Sequence, residues 1–272
     1  MVEPIIAAVW KAQPDVVVIS GDFVQNGTVE EFRAARDFVE RLPQPRITVP
    51  GNHDMPFRNI FRRYMEGLTL YREYISPVVE PFYGDDEIAI QGVNTARFLP
   101  LRGGRINEGQ IQNVERRLCS LDGEIFKVLV THHPFDLPER FPRRELVGRA
   151  RLAMGRIAQS VDLLLAGHMH ISHAASTALR YRLKGRSAIF VQAGTATSTR
   201  GRGEPNSFNL IRLNRPDLVI QRHQWNAERE EYACACSDKF LVGYEPPVCA
   251  FPAEKPQVEE DVEVLYPLAD GA

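Results

Sequence analysis

The sequence predicts an α/β protein, because apolar runs typical of strands alternate with amphipathic helical segments. The run from Val16 to Ile19 is apolar on both faces, which suits a buried strand. A helical stripe follows over residues 29–42, and the next apolar run, 46–49, stops at Pro50-Gly51. Strand, helix and strand make a right-handed crossover unit. The polar residues after the two strands, Asp22 and Asn52, are therefore expected at one edge of a sheet.

The next elements follow from the same patterns. Residues 4–12 predict a short helix, residues 56–84 poorly periodic helical cover, and residues 88–93 a strand. A clear helix is expected to begin at Asn107, which can cap it, and Gln110 can complete a capping box.

The second half of the chain predicts two more strands, 126–130 and 162–166, around a helix near residues 150–160. The pattern then changes to strands without long helices, which predicts a second, largely antiparallel sheet. Its expected strands are 173–183, 187–193, 207–213 and 217–224. We expect residues 1–225 to form the main domain and the acidic, Pro-rich residues 226–272 an extension that is partly disordered or draped over the body.

Composition limits the classes of function. The 272 residues fit one large domain with an appendage, and a formal net charge of -2 gives no basic field for long nucleic acid. The sequence has no apolar run near the roughly 20 residues of a membrane span and no signal-peptide pattern, so the cytoplasm is expected. The four cysteines suit a reducing compartment, and Cys234, Cys236 and Cys249 without a nearby His are a weak zinc signal.

Four predicted strands end in polar residues that can bind metal ions. Alone, each has an ordinary explanation, such as a helix cap, a surface loop or an exposed strand edge. Five of the seven histidines nevertheless lie in these loops, and their joint appearance favours a site. Carboxylate, amide and imidazole without thiolate suit Mn, Fe, Zn or Co. The four strand ends are Gly21-Asp22, Asn52-His53-Asp54, His132-His133 and Gly167-His168-Met169-His170.

With Gly51 before Asn52 and Pro134 after His133, these motifs in this order resemble the calcineurin-like metallophosphoesterase superfamily. Within it, residues 5–225 are most similar to the bacterial class III cyclic nucleotide phosphodiesterase branch. The resemblance implies a four-layer α/β/β/α sandwich of two mixed sheets, with two metal ions at strand ends between the sheets. The chemistry would be hydrolysis of a phosphoric ester by water activated by the metals.

The resemblance also implies individual roles. The implied metal ligands are Asp22 as a bridge between the ions, Asn52, His132 and His168 at the second site, and His170 at the first. His53 would be an outer-sphere catalytic imidazole, and Asp54 could fix its tautomer. By the family spacing His132 is the ligand and His133 a neighbour, although the reverse stays open.

One family motif is missing. No Asp-x-His occurs upstream of Asp22, so the first strand and two ligands of the first metal are expected to be absent. The chain is then either a shortened form of a longer natural protein or a one-metal or inactive relative; a third, remote idea is that residues 262–266 pair into the vacant edge. We predict that the chain binds one metal firmly and a second weakly or not at all, with reduced turnover.

The substrate is poorly encoded. Loops near the expected site could contact phosphate or ribose, or could be ordinary hairpin loops; the candidate residues are His133, Asn94, Arg97, Arg200 and Asn206. The leading hypothesis is a metal-dependent phosphoesterase acting on a small phosphodiester, with a cyclic nucleotide as one candidate. The alternatives are a phosphomonoesterase or nuclease of the same superfamily, or a non-catalytic metal- or nucleotide-binding relative.

Overall fold

The computed structural model describes residues 2–56, 60–99, 103–138, 140–181, 188–198 and 203–242. Its helices are α1 (Val2–Ala12), α2 (Val29–Glu40), α3 (Ile60–Glu66), α4 (Thr69–Tyr74), α5 (Glu108–Cys119), α6 (Ala150–Ile157) and α7 (Ala178–Tyr181). Its strands are β1 (Val17–Ile19), β2 (Arg46–Thr48), β3 (Phe82–Gly84), β4 (Ile88–Val93), β5 (Phe126–Thr131), β6 (Leu163–Ala166), β7 (His173–Ser176), β8 (Ile189–Gln192), β9 (Ser207–Asn214), β10 (Asp217–Asn226) and β11 (Glu231–Leu241).

The strands form one large sheet and two smaller pieces. The six-stranded sheet has the order β3-β4-β5-β6-β8-β7, with parallel strands in the middle and antiparallel strands at both edges. The crossover unit is confirmed, because β1 and β2 are parallel neighbours. The third piece is the antiparallel sheet β11-β10-β9.

These pieces stack in the expected four-layer order. On one face of the six-stranded sheet, α5 and α6 bury a core that includes Ile111, Leu118 and Met154. The opposite face packs against β1, β2 and β10 through a second core, which brings the two β layers together. On the far side, α2 and α4 close a third core around Phe32 and Tyr71, and the Tyr71 hydroxyl donates to Thr48 Oγ1 of β2 at 2.9 Å. The strand ends of both β layers can therefore meet at one edge of the sandwich.

The second β layer is in two pieces, β1-β2 and β11-β10-β9. Both pieces cover the same core, through Val18 and Ile47 from one and Leu218 and Ile220 from the other. The expectation that β1 is fully buried is wrong, since Val17, Val18 and Ile19 are each half-buried. In the part of the chain that the structure describes, β1 pairs with β2 alone, which leaves its other edge uncovered.

One sequence-based assignment needs correction. The segments 173–183 and 187–193 were expected in the second sheet, but β7 and β8 extend the first sheet beside β6. All four residues of β8 are buried, as in the centre of a parallel sheet, where strand patterning alone does not identify the partner. The first part of the predicted extension after residue 225 forms β11, which pairs with β10 along its whole length.

Local signals located the helix ends well. Asn107 Oδ1 accepts from Gln110 N and Gln110 Oε1 accepts from Asn107 N, both at 2.9 Å, so the predicted capping box is confirmed. Thr28 and Glu31 form a second capping box at the start of α2. Among the described helices, none has the length and apolar character that crossing a bilayer would require.

Candidate metal centre

The side chain at the middle of the candidate site is His132, which follows β5 and is 1% exposed. Its Nε2 atom lies 3.3 Å from Asp22 Oδ2, 3.2 Å from Asn52 Oδ1 and 3.2 Å from His168 Nδ1. Asp22 and Asn52 come from the strand ends of β1 and β2, and His168 from the end of β6. The structure therefore gathers four residues from four strand ends and both β layers around one atom.

The tautomer of His132 is fixed by the backbone. Its Nδ1 lies 2.7 Å from the Ser20 carbonyl oxygen, which can only accept, so Nδ1 carries the proton. In the neutral ring Nε2 is then a lone pair that faces two acceptor oxygens, Asp22 Oδ2 and Asn52 Oδ1, and the His168 Nδ1 atom, whose role depends on its tautomer. Such a group of lone pairs is repulsive unless a proton or a cation lies among them. In metal-binding histidines, the ring nitrogen that does not bind the metal typically donates to a carbonyl or carboxylate, as His132 Nδ1 donates to Ser20.

The pKa values of His132 and Asp22 are shifted by their contact with each other. Burial lowers the pKa of His132, but contact with the Asp22 carboxylate outweighs burial and leaves the pKa above its ordinary value. For Asp22, burial acts to raise the pKa, but His132 and His53 reverse the effect and the pKa falls well below its usual range. The cluster therefore holds a carboxylate that stays ionised and attracts positive charge.

Asp54 has a different partner from the expected one. We expected it to fix the tautomer of His53, but its carboxylate accepts four backbone N–H groups, those of Asp22 (3.0 Å), Phe23 (2.7 Å), Val24 (3.2 Å) and Gly51 (2.7 Å). Burial and the nearby Asp22 carboxylate raise the pKa of Asp54 to about 7, against the effect of these N–H groups. Asp54 thus ties the loop after β1 to the loop after β2.

His53 is held by the chain in another way. Its Nδ1 donates to the Gln25 carbonyl at 2.7 Å, and its backbone N–H donates to Asp22 Oδ1 at 3.0 Å. The Nδ1 proton of His53 is thus held by a backbone carbonyl. The ring is half-buried beside the cluster.

Three of the predicted ligand residues have backbone conformations that are unfavourable for L-residues. Asp22, His168 and His170 have φ values of 58°, 76° and 57°. Left-handed φ at a non-glycine residue costs energy and is concentrated at functional sites. The strain is in the loops that carry the predicted ligands.

The third histidine of the cluster is His133. One ring nitrogen each of His132, His133 and His168 lie within 4.8 Å of one another, an arrangement that can hold a metal ion. Thr95 Oγ1 lies 2.9 Å from His133 Nδ1. A Cβ atom on Gly104 would come 2.1 Å from the same nitrogen, so the backbone packs directly on the ring. His133 is close enough to act either as a ligand or as a substrate contact.

His170 is not part of this group of three. It is half-buried in the loop that follows β6. The same loop is tied to residues 203–207, because Ser172 N donates to Glu204 Oε2 at 2.8 Å and Ser172 Oγ lies 3.3 Å from Ser207 Oγ. Asn206, a predicted substrate contact, therefore lies in a loop joined to the His170 loop.

The other predicted substrate contacts are less well placed. The Arg97 guanidinium donates to the carbonyls of Asn94 and Ala96 and to Gln110 Oε1, and Asn94 Oδ1 accepts from Ala96 N. These side chains stabilise their own loop, which makes them poor candidates for phosphate binding. Arg200 lies outside the described residues.

Sequence reasoning missed Arg63, the one buried residue of α3. Its guanidinium is 0% exposed and donates to the carbonyl oxygens of Asn52 (2.9 Å), Arg97 (2.9 Å) and Phe98 (3.0 Å). Burial lowers the pKa of Arg63, and the Asp22 carboxylate opposes this. The available signal was one of two adjacent Arg residues, Arg62 and Arg63, in a weakly periodic segment, and this pattern does not distinguish a buried cation from a surface one.

Comparison with known proteins adds a family to this geometry. Residues 2–172 match the calcineurin-like phosphoesterase family. A protein of Arcobacter nitrofigilis named "Probable glycerophosphodiester phosphodiesterase GpdQ" is 31% identical over 166 residues, 59% of this chain and 58% of that protein. A "Probable cyclic nucleotide phosphodiesterase" of Synechococcus sp. is 29% identical over 167 residues, 58% of this chain and 58% of that protein. The chain spans little more than half the length of these curated relatives.

Two solved structures are similar in fold. A dimetal phosphatase from Danio rerio has a TM-score of 0.59 at 14% identity, over 89% of both chains. PhoD has a TM-score of 0.62 at 10% identity, over 88% of this chain and 67% of that one. At these identities the similarity concerns the fold.

Proposed function

The chain belongs to the calcineurin-like phosphoesterase family, and from this we propose that it hydrolyses a small phosphodiester at a divalent metal ion bound beside His132. The observation that carries the proposal is the convergence of lone pairs at His132 Nε2. Asp22 Oδ2, Asn52 Oδ1 and His168 Nδ1 lie 3.2–3.3 Å from this nitrogen, while Nδ1 of the same ring donates to the Ser20 carbonyl. A divalent cation among these atoms would take the place of a proton on Nε2 and relieve the repulsion between them.

The donor set fits such an ion. Asp22, Asn52, His132 and His168 offer one carboxylate, one amide oxygen and two imidazoles, which suit Mn, Fe, Zn or Co. The Asn52 Nδ2 atom is buried without a hydrogen-bond partner in the described structure, and the amide oxygen faces His132 Nε2 at 3.2 Å. His133 or His170 would complete the coordination of this ion or hold a second, weaker one.

When bound, a divalent ion supplies a nucleophile from water at neutral pH and neutralises the negative charge of the diester. His53 would transfer a proton to the leaving oxygen through Nε2, because its Nδ1 is engaged with Gln25. Asp54 and Arg63 would hold the loops that carry Asp22 and Asn52, through backbone groups only.

Hydrolysis of bis-p-nitrophenyl phosphate with and without Mn tests the proposal. We expect Mn-stimulated turnover. His53→Ala should lower turnover by about 10²–10⁴-fold, typical of a lost general acid, with metal affinity kept. His132→Ala should lose both turnover and metal binding by calorimetry. His223→Ala, a histidine of β10 stacked on Phe208, is the matched control and should change neither. Turnover that is independent of metal and of His132 would contradict the proposal.

The relatives' names define the substrates to compare. One is named for glycerophosphodiesters and the other for cyclic nucleotides. We propose that this chain prefers a diester of this size to the monoester p-nitrophenyl phosphate. We also propose that it prefers such a diester to long nucleic acid, since the net charge of the chain is -2. A higher kcat/KM on the monoester would favour a phosphomonoesterase instead.

A non-catalytic metal-binding protein is the second candidate. It is favoured by the single group of three His, Cys, Asp or Glu ligands found within metal-binding distance in the described residues. Metal analysis separates the two. One tightly held ion without turnover supports the binding protein, and two tightly held ions would contradict the expectation of one firm site.

A further inference from the structure

Two adjacent histidines lie in the candidate metal centre, and the partners of their Nδ1 atoms differ in kind. His132 Nδ1 lies 2.7 Å from the Ser20 carbonyl oxygen, which can only accept a hydrogen bond. His133 Nδ1 lies 2.9 Å from the Thr95 hydroxyl, which can donate or accept. The nitrogen of His133 that carries the ring proton therefore depends on what the Thr95 hydroxyl does.

The pairing of β4 with β5 sets the contact between Thr95 and His133. The two strands are parallel, and Val93 lies opposite Thr131 where they end. Thr95 and His133 each follow two residues later, and the backbone N–H of His133 also donates to Thr95 Oγ1, at 3.2 Å. The Gly104 backbone packs on the same part of the ring, since a Cβ atom there would come 2.1 Å from Nδ1 and 2.2 Å from Cγ. Thr95 is 0% exposed, so solvent does not reach its hydroxyl.

Only one tautomer of His133 satisfies the Thr95 hydroxyl. The hydroxyl oxygen accepts the backbone N–H of His133, and among the described residues the one acceptor near the hydroxyl proton is His133 Nδ1. If Nδ1 carried the ring proton, this buried hydroxyl proton would have no acceptor, which would disfavour that tautomer roughly tenfold. With Thr95 donating to Nδ1 both groups are paired, and the proton of the neutral ring is on Nε2.

We propose that Thr95 is a positioning residue that keeps His133 out of the coordination of the metal ion. A histidine binds a metal through the lone pair of a ring nitrogen. In His133 the Nδ1 lone pair accepts from Thr95, and Nε2 carries the proton. Neither nitrogen then offers a lone pair to an ion, whichever of them is the one that lies near His132 and His168.

The two adjacent histidines thereby acquire different roles. His132 keeps an Nε2 lone pair for the ion, because its Nδ1 donates to Ser20. Of the two residues that could complete the coordination, His133 and His170, only His170 remains. The tautomer of His133 is a property of the metal-free chain, whereas its consequence for coordination rests on the proposed function.

Long-range proton–nitrogen NMR correlation spectra of the histidine rings test the proposal on the full metal-free chain, at an alkaline pH where the rings are neutral. We expect the His133 proton on Nε2, and His133→Gln identifies the signals of this ring. Thr95→Ser keeps the hydroxyl and should give the same tautomer. Thr95→Val keeps the shape without the donor, and should raise the ratio of Nδ1-protonated to Nε2-protonated ring roughly tenfold. Adding Zn should shift the Nε2 signal of His132 and leave the Nε2 proton of His133 in place.

The affinity for Zn distinguishes positioning from a purely structural role. Without the Thr95 hydroxyl, His133 Nε2 can offer a lone pair, so Thr95→Val should bind Zn more tightly than the wild type, by up to about tenfold. Thr95→Ser should bind Zn as the wild type does. A purely structural contact would give the opposite sign for Thr95→Val, because loosening the loops weakens the site.

Thr177→Val is the matched control. Thr177 is also 0% exposed, and its hydroxyl donates to the Ala188 carbonyl at 3.0 Å, beside the first residue of β8. Its replacement likewise removes a buried hydroxyl donor, and should leave the tautomer of His133 and the Zn affinity unchanged.

The proposal fails if the wild-type His133 carries its proton on Nδ1, if Zn removes its Nε2 proton, or if Thr95→Val and Thr177→Val change the Zn affinity alike. If Thr95→Val does not fold, the wild-type and Thr95→Ser spectra with and without Zn still decide. A chain that binds no Zn would contradict the proposed function. The metal-free spectra would then decide the role of Thr95, and an unchanged tautomer in Thr95→Val would overturn it.

Discussion

Replacing Arg63 by Met should weaken both the fold and the metal site, because one buried guanidinium connects two loops. Arg63 donates to Asn52 O from one loop and to Arg97 O and Phe98 O from the other. The side chain of Asn52 is a proposed metal ligand, and Arg63 holds the backbone carbonyl of the same residue. Met keeps most of the volume but offers no donor.

The magnitude follows from these contacts. Hydrogen bonds to a charged group contribute about 1.5–3 kcal/mol each, and three of ordinary length are lost. The cost of burying the guanidinium, visible in its lowered pKa, offsets part of this. We expect a net loss of about 3 kcal/mol in unfolding free energy, comparable to breaking a buried ion pair. At about 2–4 °C per kcal/mol, the Tm should fall by roughly 6–12 °C.

The metal affinity gives the sharper measurement. Loss of a group that orients a ligand typically costs about 10–100-fold in affinity, so Arg63→Met should weaken Mn binding by about that factor in calorimetry. Arg63→Lys keeps the charge but lacks the planar guanidinium, so its Mn affinity should lie between that of the wild type and that of Arg63→Met. Titrations are made well below the Tm of the weakest variant.

Arg156→Met is the matched control. Arg156 of α6 pairs with Glu108 and Glu115 of α5, away from the cluster, so its loss should lower the Tm and leave Mn affinity unchanged. If folded Arg63→Met binds Mn as the wild type does, the idea that Arg63 positions the Asn52 loop is refuted. If Arg156→Met weakens Mn binding equally, the effect is one of general stability.

Three further changes test the local arguments. Gly51→Ala would place a Cβ atom 2.2 Å from Asp22 Oδ1, so we expect lost Mn binding and about 1–3 kcal/mol of destabilisation. At Gly155 in α6 nothing lies within 4 Å of an added Cβ atom, so Gly155→Ala should instead stabilise the protein by about 0.5–1 kcal/mol. Asn107→Ala removes the capping box of α5 and should cost about 1 kcal/mol in urea unfolding, with Mn affinity unchanged. Burial lowers the pKa of His173, and Asp136 opposes this. The unfolded chain then takes up the proton first, and His173 reduces stability as pH falls below about 6.5. His173→Gln should therefore lessen the fall in Tm between pH 7 and pH 5, and an unchanged fall would contradict this sign.

Much of the fold was predictable because its signals are local. The cap at Asn107, the β4 strand over residues 88–93 and the parallel pairing of β1 with β2 each depend on residues close in sequence. Polar residues at strand ends likewise indicated which side chains to compare, since parallel strands of one sheet end at one edge. The placement of β7 and β8 was not predictable, because a strand of four residues pairs equally well with several neighbours.

The sequence by itself determined the donor types and the strand ends that carry Asp22, Asn52, His132 and His168. Only the tertiary structure decided that Asp22, Asn52 and His168 meet at His132 Nε2. It also decided that Asp54 binds backbone N–H groups and that Arg63 is buried beneath the Asn52 loop. The reason is physical. Strand and cap propensities act over a few residues, whereas these contacts join segments that are up to 112 positions apart and are set by how two β layers pack.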